Sequence, residues 1–371
     1  MRHVHVCLVS DQPVPNTTSA LQLRPDHVEL LYTKDKIEQG LRLEEFFKSR
    51  GMAVRGTEIL PFDMQAVMET CRQLLDEYAS CRISANITGG TKLAALAAFQ
   101  VFFDARKELY YVDTYNRKLI CLAPEQREDT ITITMPILDY LDIHGFRPES
   151  HTCDLGPIIQ RQPVTQFLAE LAIRKPKLIG MLNGSFGVNR DVKELSYPYT
   201  LHLQQIREFS GLAMLLAKHG IARQAAGGII LPNIEIAQYL RGFWFEEYVY
   251  LAAVSISGVE AKLNVIGRWE TRRKEEPKNE FDVMVGAENR MLYISCKTSN
   301  IDRGGAGREY LYELDSLGDN ALGLFGKKIL ASARPIRDSY IHARAASMGI
   351  EIIDGEKIRD IPQRIQTWLK P

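Results

Sequence analysis

Apolar and amphipathic segments alternate through the first 140 or so residues of this 371-residue chain. Short runs rich in Val, Ile, Leu and Tyr, which predict strands, cover residues 4–9, 28–32, 54–60, 82–86 and 109–112. Segments with helical spacing, the first of them ended by Gly51, cover residues 37–50, 63–78 and 92–103. This alternation favours an α/β fold with a doubly wound, mostly parallel sheet that binds ligands at the carboxyl ends of its strands.

The turn between the fourth strand and its helix reads Asn-Ile-Thr-Gly-Gly-Thr-Lys. Gly89 and Gly90 let the backbone approach a ligand closely, and Thr88 and Thr91 offer hydroxyl groups. Lys92 offers a cation, and the start of the helix adds unpaired N–H groups and the positive end of its dipole. The spacing matches neither a Walker loop nor a dinucleotide fingerprint. The turn therefore predicts a site for an anionic ligand.

Other polar residues directly follow predicted strands and should share one edge of the sheet with this turn. We call this set the predicted rim. Its members are Ser10, Thr33, Asn86, Thr88, Gly89, Gly90, Thr91, Lys92, Asp113 and Thr114. A simple loop-capping role is the alternative for Ser10 and Thr33.

A second set of polar residues lies on two predicted strands near the end of the chain. Glu280 and Asp282 alternate onto one face of the first strand, and Ser295 and Lys297 do so on the next. A phosphodiester is negatively charged, so carboxylates act on it through a divalent cation, while a lysine stabilises developing charge. Asp282 is the candidate metal ligand and Lys297 the candidate activator, with a partly buried salt bridge as the alternative.

Six segments together carry a resemblance to a known family. They are residues 8–16 (Leu-Val-Ser-Asp-Gln-Pro-Val-Pro-Asn), 86–92, 111–114 (Tyr-Val-Asp-Thr), 242–246 (Gly-Phe-Trp-Phe-Glu), 279–283 (Asn-Glu-Phe-Asp-Val) and 295–298 (Ser-Cys-Lys-Thr). Through them the chain resembles the CARF-domain nucleases of type III CRISPR systems over almost its whole length. The resemblance implies a Rossmann-like CARF domain at residues 1–146, a connector at 147–236, and a PD-(D/E)xK restriction-endonuclease-like α/β domain at 237–371.

The connector is expected to be helical, with a winged-helix-like hairpin. Residues 147–164, which contain three prolines, read as a linker, and residues 165–173 and 201–218 read as helices. Residues 220–232 read as the hairpin. Because residues 201–216 carry one arginine, we expect a structural connector rather than a DNA-reading winged helix.

The resemblance also implies a ligand, cyclic oligoadenylate, most simply the tetramer, shared by two rims across the axis of a homodimer. Its expected contacts add Asp11, Gln12 and Asn16 to the predicted rim. A ring nuclease that cleaves its own activator with Lys92 is one alternative function.

For the last domain the resemblance implies a divalent metal, Mn²⁺ or Mg²⁺, and a DNA or single-stranded RNA substrate. Asp282, Glu280, Glu246 and the backbone carbonyl of Cys296 are the expected ligands. The chain departs from the family pattern at Ser295, where the family has a glutamate. Glu280 or Glu246 then replaces the missing carboxylate, or the site has decayed and the protein is a sensor that binds nucleic acid or a partner.

Basic residues near these strands are candidates for substrate binding. They are Arg268, Arg272, Arg273, Lys274, Arg303 and Arg308, with Trp269 as a stacking ring. A solvated hairpin is the alternative for the first group, because Glu270, Glu275 and Glu276 lie among them.

Composition limits the remaining classes. With 46 basic and 46 acidic residues the chain has no net charge, so nucleic acid must be bound by local patches. The six cysteines are too far apart for a CxxC zinc site, and no apolar run is long enough to cross a membrane. We therefore expect a cytoplasmic protein with no membrane partner.

Overall fold

A computed structural model describes residues 1–187, 191–270, 277–302 and 305–370. The amino-terminal sheet has seven strands in the order β3-β2-β1-β4-β5-β6-β7. These are β1 His3–Leu8, β2 His27–Tyr32, β3 Ala53–Glu58, β4 Arg82–Asn86, β5 Glu108–Asp113, β6 Lys118–Ala123 and β7 Arg127–Thr130. Strands β1 to β5 are parallel, as predicted, and β6 and β7 add an antiparallel edge that was not predicted.

Five helices accompany this sheet. They are α1 Val14–Leu23, α2 Ile37–Ser49, α3 Met64–Glu77, α4 Lys92–Asp104 and α5 Ile137–Ile143. Asp63 caps α3 and Thr91 caps α4 through side-chain oxygens that accept backbone N–H groups, so both helices begin where the sequence predicts. A short 3₁₀ turn, Lys34–Lys36, precedes α2.

The middle of the chain differs from the prediction in two places. Its elements are β8 Phe146–Ser150, α6 Gly156–Arg174, α7 Pro176–Ser185, a 3₁₀ turn Val192–Glu194, β9 Tyr199–His202, α8 Arg207–Lys218, β10 Arg223–Ala225 and β11 Gly228–Leu231. The expected linker at 147–164 is wrong, because much of it forms β8 and the start of α6. The expected helix at 201–218 begins only at Arg207, since Leu201 pairs with Ile229 in a three-stranded sheet. The β10–β11 hairpin is confirmed.

The third sheet has six strands in the order β16-β15-β14-β13-β12-β8. The remaining elements are α9 Ile234–Gln238, a π-helical turn Tyr239–Phe243, α10 Trp244–Val254, β12 Glu260–Trp269, β13 Asn279–Ala287, β14 Arg290–Lys297, α11 Ala306–Ala321, β15 Lys327–Ser332, α12 Ser339–Ser347, β16 Ile350–Asp354, a 3₁₀ turn Gly355–Asp360 and α13 Ile361–Leu369. Strands β13 and β14 form the expected antiparallel pair, and β14, β15 and β16 are parallel. The proposed domain boundaries at 146 and 236 stay a prediction.

The two largest hydrophobic cores each combine residues from different parts of the chain. Helix α10 packs on strands β12, β13 and β14 of the third sheet, and buried residues of α6 and α8 belong to the same core. A second core contains Phe46 and Phe47 of α2 together with Phe281 and Tyr293 of the third sheet. Helix α5 lies between α2 and strands β12 and β13. One packed core therefore contains residues of both the amino-terminal domain and the third sheet.

No helix in the described ranges is both long and apolar enough to span a bilayer.

Candidate functional site

A single carboxylate organises the end of the β13–β14 hairpin. Oxygen Oδ2 of Asp282 accepts hydrogen bonds from the Ser295 hydroxyl (3.2 Å), the Cys296 backbone N–H (2.7 Å) and the Lys297 ammonium (3.4 Å). The regular strand pairing runs from Ala287↔Arg290 to Val283↔Ile294. Beyond it, the Asp282 side chain bonds the Cys296 N–H. The structure therefore brings together Asp282, Ser295 and Lys297, and their catalytic roles stay a prediction.

Lys297 is held in place from two sides. Its ammonium faces Asp282 and lies 5.1 Å from the centre of the Tyr310 ring of α11. Burial lowers the pKa of Lys297, whereas Asp282 and then Glu313 raise it, and the balance lies above its ordinary value. The side chain is consequently charged at neutral pH, as the stabilisation of a phosphate requires.

Glu246 approaches the same cluster from helix α10. Burial, followed by the charges of Asp282 and Glu280, raises the pKa of Glu246 well above its ordinary value. Its Oε2 is buried and has no hydrogen-bond partner among the described residues. Glu280 is exposed beside it, and partial desolvation and then Asp282 raise the pKa of Glu280. The site therefore places three carboxyl groups beside one lysine, and without a metal the burial of Glu246 favours its protonated form.

The neighbouring Glu247 has a different role. It is 3% exposed and forms an ion pair with Arg161 of α6, and the Thr165 hydroxyl lies 3.4 Å from its Oε2. Glu247 is therefore a buried, paired carboxylate and not a surface charge. Sequence periodicity alone could not decide which of two adjacent acids on α10 faces the sheet.

The carboxylates suit a divalent cation in charge and donor type. A hard cation prefers oxygen ligands, and the orphaned Oε2 of Glu246 is the buried acceptor that such an ion would satisfy. In the described part of the chain, however, no three Asp, Glu, His or Cys side chains lie close enough together to form a complete metal site. The predicted set of Asp282, Glu246, Glu280 and the Cys296 carbonyl thus stays a prediction.

The glycine-rich turn at the other end of the molecule needs both of its glycines. A Cβ at Gly89 would lie 2.2 Å from the Leu8 carbonyl oxygen, and Gly90 has a φ of +78°. Any side chain at Gly89 would push the turn away from the end of β1, and a side chain at Gly90 would strain the backbone. The turn is held close to the sheet by these two requirements.

Buried hydrogen bonds fix the base of the turn. The Asn86 side-chain amide donates to Asn16 and Ser19, and its oxygen accepts the Thr88 N–H and hydroxyl. The Thr88 hydroxyl also accepts the Val112 N–H at 2.7 Å. Asn16, Asn86 and Thr88 therefore hold the rim in shape.

The remaining rim residues divide into paired and unpaired groups. Thr91 donates to the Pro61 carbonyl at 2.6 Å while capping α4, and Asp11 forms an ion pair with Lys36. Thr33 is buried at the end of β2. Lys92 is exposed, and within the described ranges its ammonium has no ion-pair partner. A cation in the first turn of a helix faces the positive end of the dipole, which favours binding of an external anion there.

A cavity of about 240 Å³ brings five of the expected ligand contacts together: Ser10, Gln12, Thr88, Asp113 and Thr114. Its described lining does not include residues 89–92, which lie beside it. Sequence reasoning missed the other lining residues, among them Tyr111, Asn289, Leu324 and Phe325. The flanking glycines of Gly-Leu-Phe-Gly at 323–326 signal a turn, but only the tertiary structure places that turn in this cavity.

The predicted substrate residues are only partly within the described ranges; Arg272, Arg273, Lys274 and Arg303 lie outside them. Arg268 and Lys278 both pair with Glu149, and Trp269 packs edge-on against Phe146. Arg308 lies over the Tyr340 ring at 4.6 Å. The described part of this group therefore makes contacts within the protein.

Comparison with known proteins gives two family matches. A model described as the Card1 CARF domain matches residues 4–140, and one described as the Card1-like endonuclease domain matches residues 234–371. No curated protein matches the sequence.

Solved structures share the fold. Can2 from Sulfobacillus thermosulfidooxidans, solved in complex with cyclic tetra-adenylate, has a TM-score of 0.81 and 23% identity, with 100% of both chains covered. Protein VC1899 from Vibrio cholerae has a TM-score of 0.86 and 24% identity, with 99% of this chain and 98% of that one covered. A type III CRISPR defence DNA nuclease activated by cyclic oligoadenylate has a TM-score of 0.57 and 19% identity, with 90% of this chain and 46% of that one covered. At these identities the likeness shows the fold.

Proposed function

The chain belongs to the family that joins a Card1 CARF domain to a Card1-like endonuclease domain, and we propose that it is a metal-dependent nuclease activated by cyclic oligoadenylate in type III CRISPR defence. Cyclic tetra-adenylate is the proposed activator, because Can2, a protein of the same fold, was solved with that ligand. DNA is the first proposed substrate, and single-stranded RNA is the second.

The main support for the proposal is that the β13–β14 hairpin extends from the candidate catalytic cluster to the candidate ligand cavity. One end holds the cluster of Asp282, Ser295 and Lys297. At its tip, Asn289 lines the cavity at the predicted rim. Strand β13 covers the five residue steps from Asp282 to Ala287, about 17 Å, and Asn289 follows two residues later in the turn. A single rigid element thus connects the proposed ligand pocket with the proposed catalytic residues.

Hydrogen bonds tie the hairpin tip to the amino-terminal domain. The Asn289 side chain accepts the Met135 N–H at 2.8 Å and donates to the Ile133 carbonyl at 2.7 Å. Arg117 forms an ion pair with Glu288 next to it. These contacts support coupling, because a ligand that shifts the rim also shifts the anchor of the hairpin.

A second connection runs through helix α11. Gln12 accepts the Leu324 N–H at 3.1 Å in the loop that follows this helix. The same helix carries Tyr310 and Glu313, which face Lys297. Occupation of the cavity would therefore act on the surroundings of Lys297 as well as on the hairpin.

The chemistry assigns separate tasks to the residues. Asp282 supplies a fixed carboxylate, and Glu246 a buried carboxyl group whose proton must leave before it can ligate a metal. Lys297 supplies a charged ammonium that can stabilise the phosphate. The bound divalent cation would neutralise the phosphate and lower the pKa of a water molecule.

A homodimer is also proposed. Apolar side chains are exposed along α4 and the loop before α3, among them Phe62 (77%), Leu96 (56%) and Phe103 (50%). An exposed apolar patch next to a ligand rim is typical of an interface, and a two-fold axis there would let two rims share one cyclic ligand. Light scattering tests this, since a monomer both with and without ligand would contradict it.

A nicking assay on supercoiled plasmid with Mn²⁺, with and without cyclic tetra-adenylate, tests the activity. We expect nicking only when both are present. Nicking at the same rate with and without the cyclic ligand, or no nicking under any condition, would contradict the proposal. Loss of the cyclic ligand with intact plasmid would favour the ring nuclease, and the fate of the ligand can be followed by chromatography in the same reaction.

A further inference from the structure

A basic cleft of about 520 Å³ lies between the α6–α7 junction and the loops that follow β14 and β15. Its charged lining residues in the described part of the chain are Arg174, Lys175, Lys177, Arg334, Arg337 and Asp302. Five cations and one acid are concentrated here in a chain with no net charge. Such a local excess attracts a polyanion.

The one acid of the cleft binds backbone N–H groups. The carboxylate of Asp302 accepts the backbone N–H of Arg337 at 3.1 and 3.2 Å and that of Asp338 at 3.3 Å. Asp302 thus holds the turn before α12 in shape. The cleft keeps an excess of positive charge, because five cations line it beside one carboxylate.

Two of the five cations, Arg174 and Lys175, form ion pairs with acids outside the cleft. Arg174 pairs with Glu170 at 2.9 Å and Lys175 pairs with Glu208, and both lie at the end of α6, where cations favour the helix dipole. Lys177, by contrast, lies in the first turn of α7, where a cation is disfavoured and no acid accompanies it. Neither Lys177 nor the exposed Arg337 has an ion-pair partner within the described ranges.

Arg334 forms the floor of the cleft. A Cβ at Gly180 of α7 would lie 3.1 to 3.4 Å from its guanidinium group, so the absence of a side chain there leaves room for the arginine. The Ser332 hydroxyl donates to the Arg334 carbonyl at 2.7 Å and fixes its backbone. The guanidinium group of Arg334 thus lies against α7 at Gly180.

The cleft adjoins the catalytic cluster. The N–H of Ala333, next to Arg334, donates to the Lys297 carbonyl at 2.9 Å. Asn300 lines the cleft and follows Lys297 by three residues, so their Cα atoms are at most about 11 Å apart. Asn183 of α7 also donates to the Thr298 carbonyl at 3.2 Å, which holds this wall of the cleft beside the site.

We propose that this cleft binds the phosphodiester backbone of the nucleic-acid substrate next to the bond that is cleaved. The inference rests on the proposed nuclease function and adds a binding surface that lies apart from residues 268–274. Lys177 and Arg337 contact backbone phosphates. Recognition by phosphate contacts is independent of base sequence.

The test measures binding without cleavage. Full-length protein with cyclic tetra-adenylate and EDTA is titrated into three labelled probes of one sequence: duplex DNA, single-stranded DNA and single-stranded RNA. The double variant Lys177→Ala/Arg337→Ala is compared with Lys218→Ala/Arg223→Ala, which removes two exposed cations from α8 and β10. We expect the first variant to bind about tenfold or more weakly at about 0.1 M salt.

The salt dependence identifies phosphate contacts. For duplex DNA the slope of log K against log salt should fall by about 1.8 in the first variant, that is, about 0.9 for each lost contact. The probe with the largest loss is the strand that the cleft accepts. An unchanged slope and affinity, or an equal loss in the control variant, would overturn the assignment.

The binding assay tests the cleft and the nicking assay tests the nuclease function, so each proposal can be contradicted without the other. Wild-type protein that nicks plasmid while the first variant binds normally would overturn the cleft and leave the nuclease function standing. Wild-type protein that binds through Lys177 and Arg337 but never nicks would support the cleft and contradict the nuclease function. No binding of any probe by the wild type would also overturn the cleft.

Discussion

The two proposed sites differ in how far their polar groups are satisfied. At the glycine-rich turn, Asn16, Asn86, Thr88 and Thr91 are hydrogen-bonded to one another or to the backbone. At the β13–β14 cluster, one oxygen of Asp282 accepts three donors while a buried oxygen of Glu246 has none among the described residues. The polar groups of the first site are satisfied within the protein, whereas the second site has a buried carboxyl oxygen that an added cation could bind.

The two lysines show the same contrast. Lys92 is exposed and has no ion-pair partner in the described ranges, whereas Lys297 is held by Asp282 and lies over Tyr310. The rim thus presents a charge to an external anion. In the cluster, the Lys297 ammonium is held in position for a reacting phosphate. The carboxyl groups around it would be neutralised by an added divalent cation.

The largest effect should come from Asp282→Asn. It removes the charge that orients Lys297 and Ser295, and we expect the rate of plasmid nicking to fall by about 10²–10³-fold or more, with Lys297→Ala similar. Asp319→Asn, an exposed carboxylate on α11, is the matched control and should keep its rate. Full activity in Asp282→Asn would show that the cluster is not the catalytic centre.

Lys92→Ala should weaken binding of cyclic tetra-adenylate by about 1.5–3 kcal/mol, the range for one charge-assisted hydrogen bond. Calorimetry measures this as a rise of about 10- to 150-fold in Kd. Lys107→Ala, in the segment between α4 and β5, is the control. If the affinity of Lys92→Ala is unchanged, the turn does not belong to the ligand site.

Glu246→Gln should change how the stability of the folded protein depends on pH. The folded protein keeps a proton on Glu246 that the unfolded chain releases above the ordinary pKa of 4.5. Stability in EDTA should therefore fall as pH rises from that value, and Glu246→Gln should remove this loss, a gain on the order of 1 kcal/mol.

Thermal unfolding at several pH values checks the sign. The difference in Tm between Glu246→Gln and the wild type should grow from acidic to neutral pH. Added Mn²⁺ should raise the Tm of the wild type more than that of the variant. A difference that is the same at every pH would mean that Glu246 is not protonated in the folded state.

The smallest effect should come from Ser295→Ala. Asp282 would lose one weak donor at 3.2 Å and keep the Cys296 N–H and Lys297, so the nicking rate should fall by no more than about fivefold, or roughly 1 kcal/mol.

Ser295→Glu introduces at this position the carboxylate that the family pattern has there. It should keep or raise the nicking rate with Mn²⁺ and lower the Tm in EDTA, because two carboxylates would then meet in a buried place. If the wild type is inactive and Ser295→Glu is active, the site has decayed and the sensor function is favoured.

Much of the architecture could be predicted from the sequence. The period of the apolar residues determined the five parallel strands and the pairing of β13 with β14, and the glycines determined the turn after β4. These features depend on neighbouring residues, whose spacing and backbone preferences are written in the chain itself. The juxtaposition of Asp282, Ser295 and Lys297 follows from the same alternation.

Only the tertiary structure decided the rest. It moved residues 146–150 into the third sheet, turned Glu246 toward Asp282 and Glu247 toward Arg161, and placed Leu324 and Phe325 in the cavity of the other domain. It also assembled the basic cleft from three separate segments. Each of these results depends on contacts between residues far apart in sequence, and local periodicity carries no information about which distant surfaces will pack together.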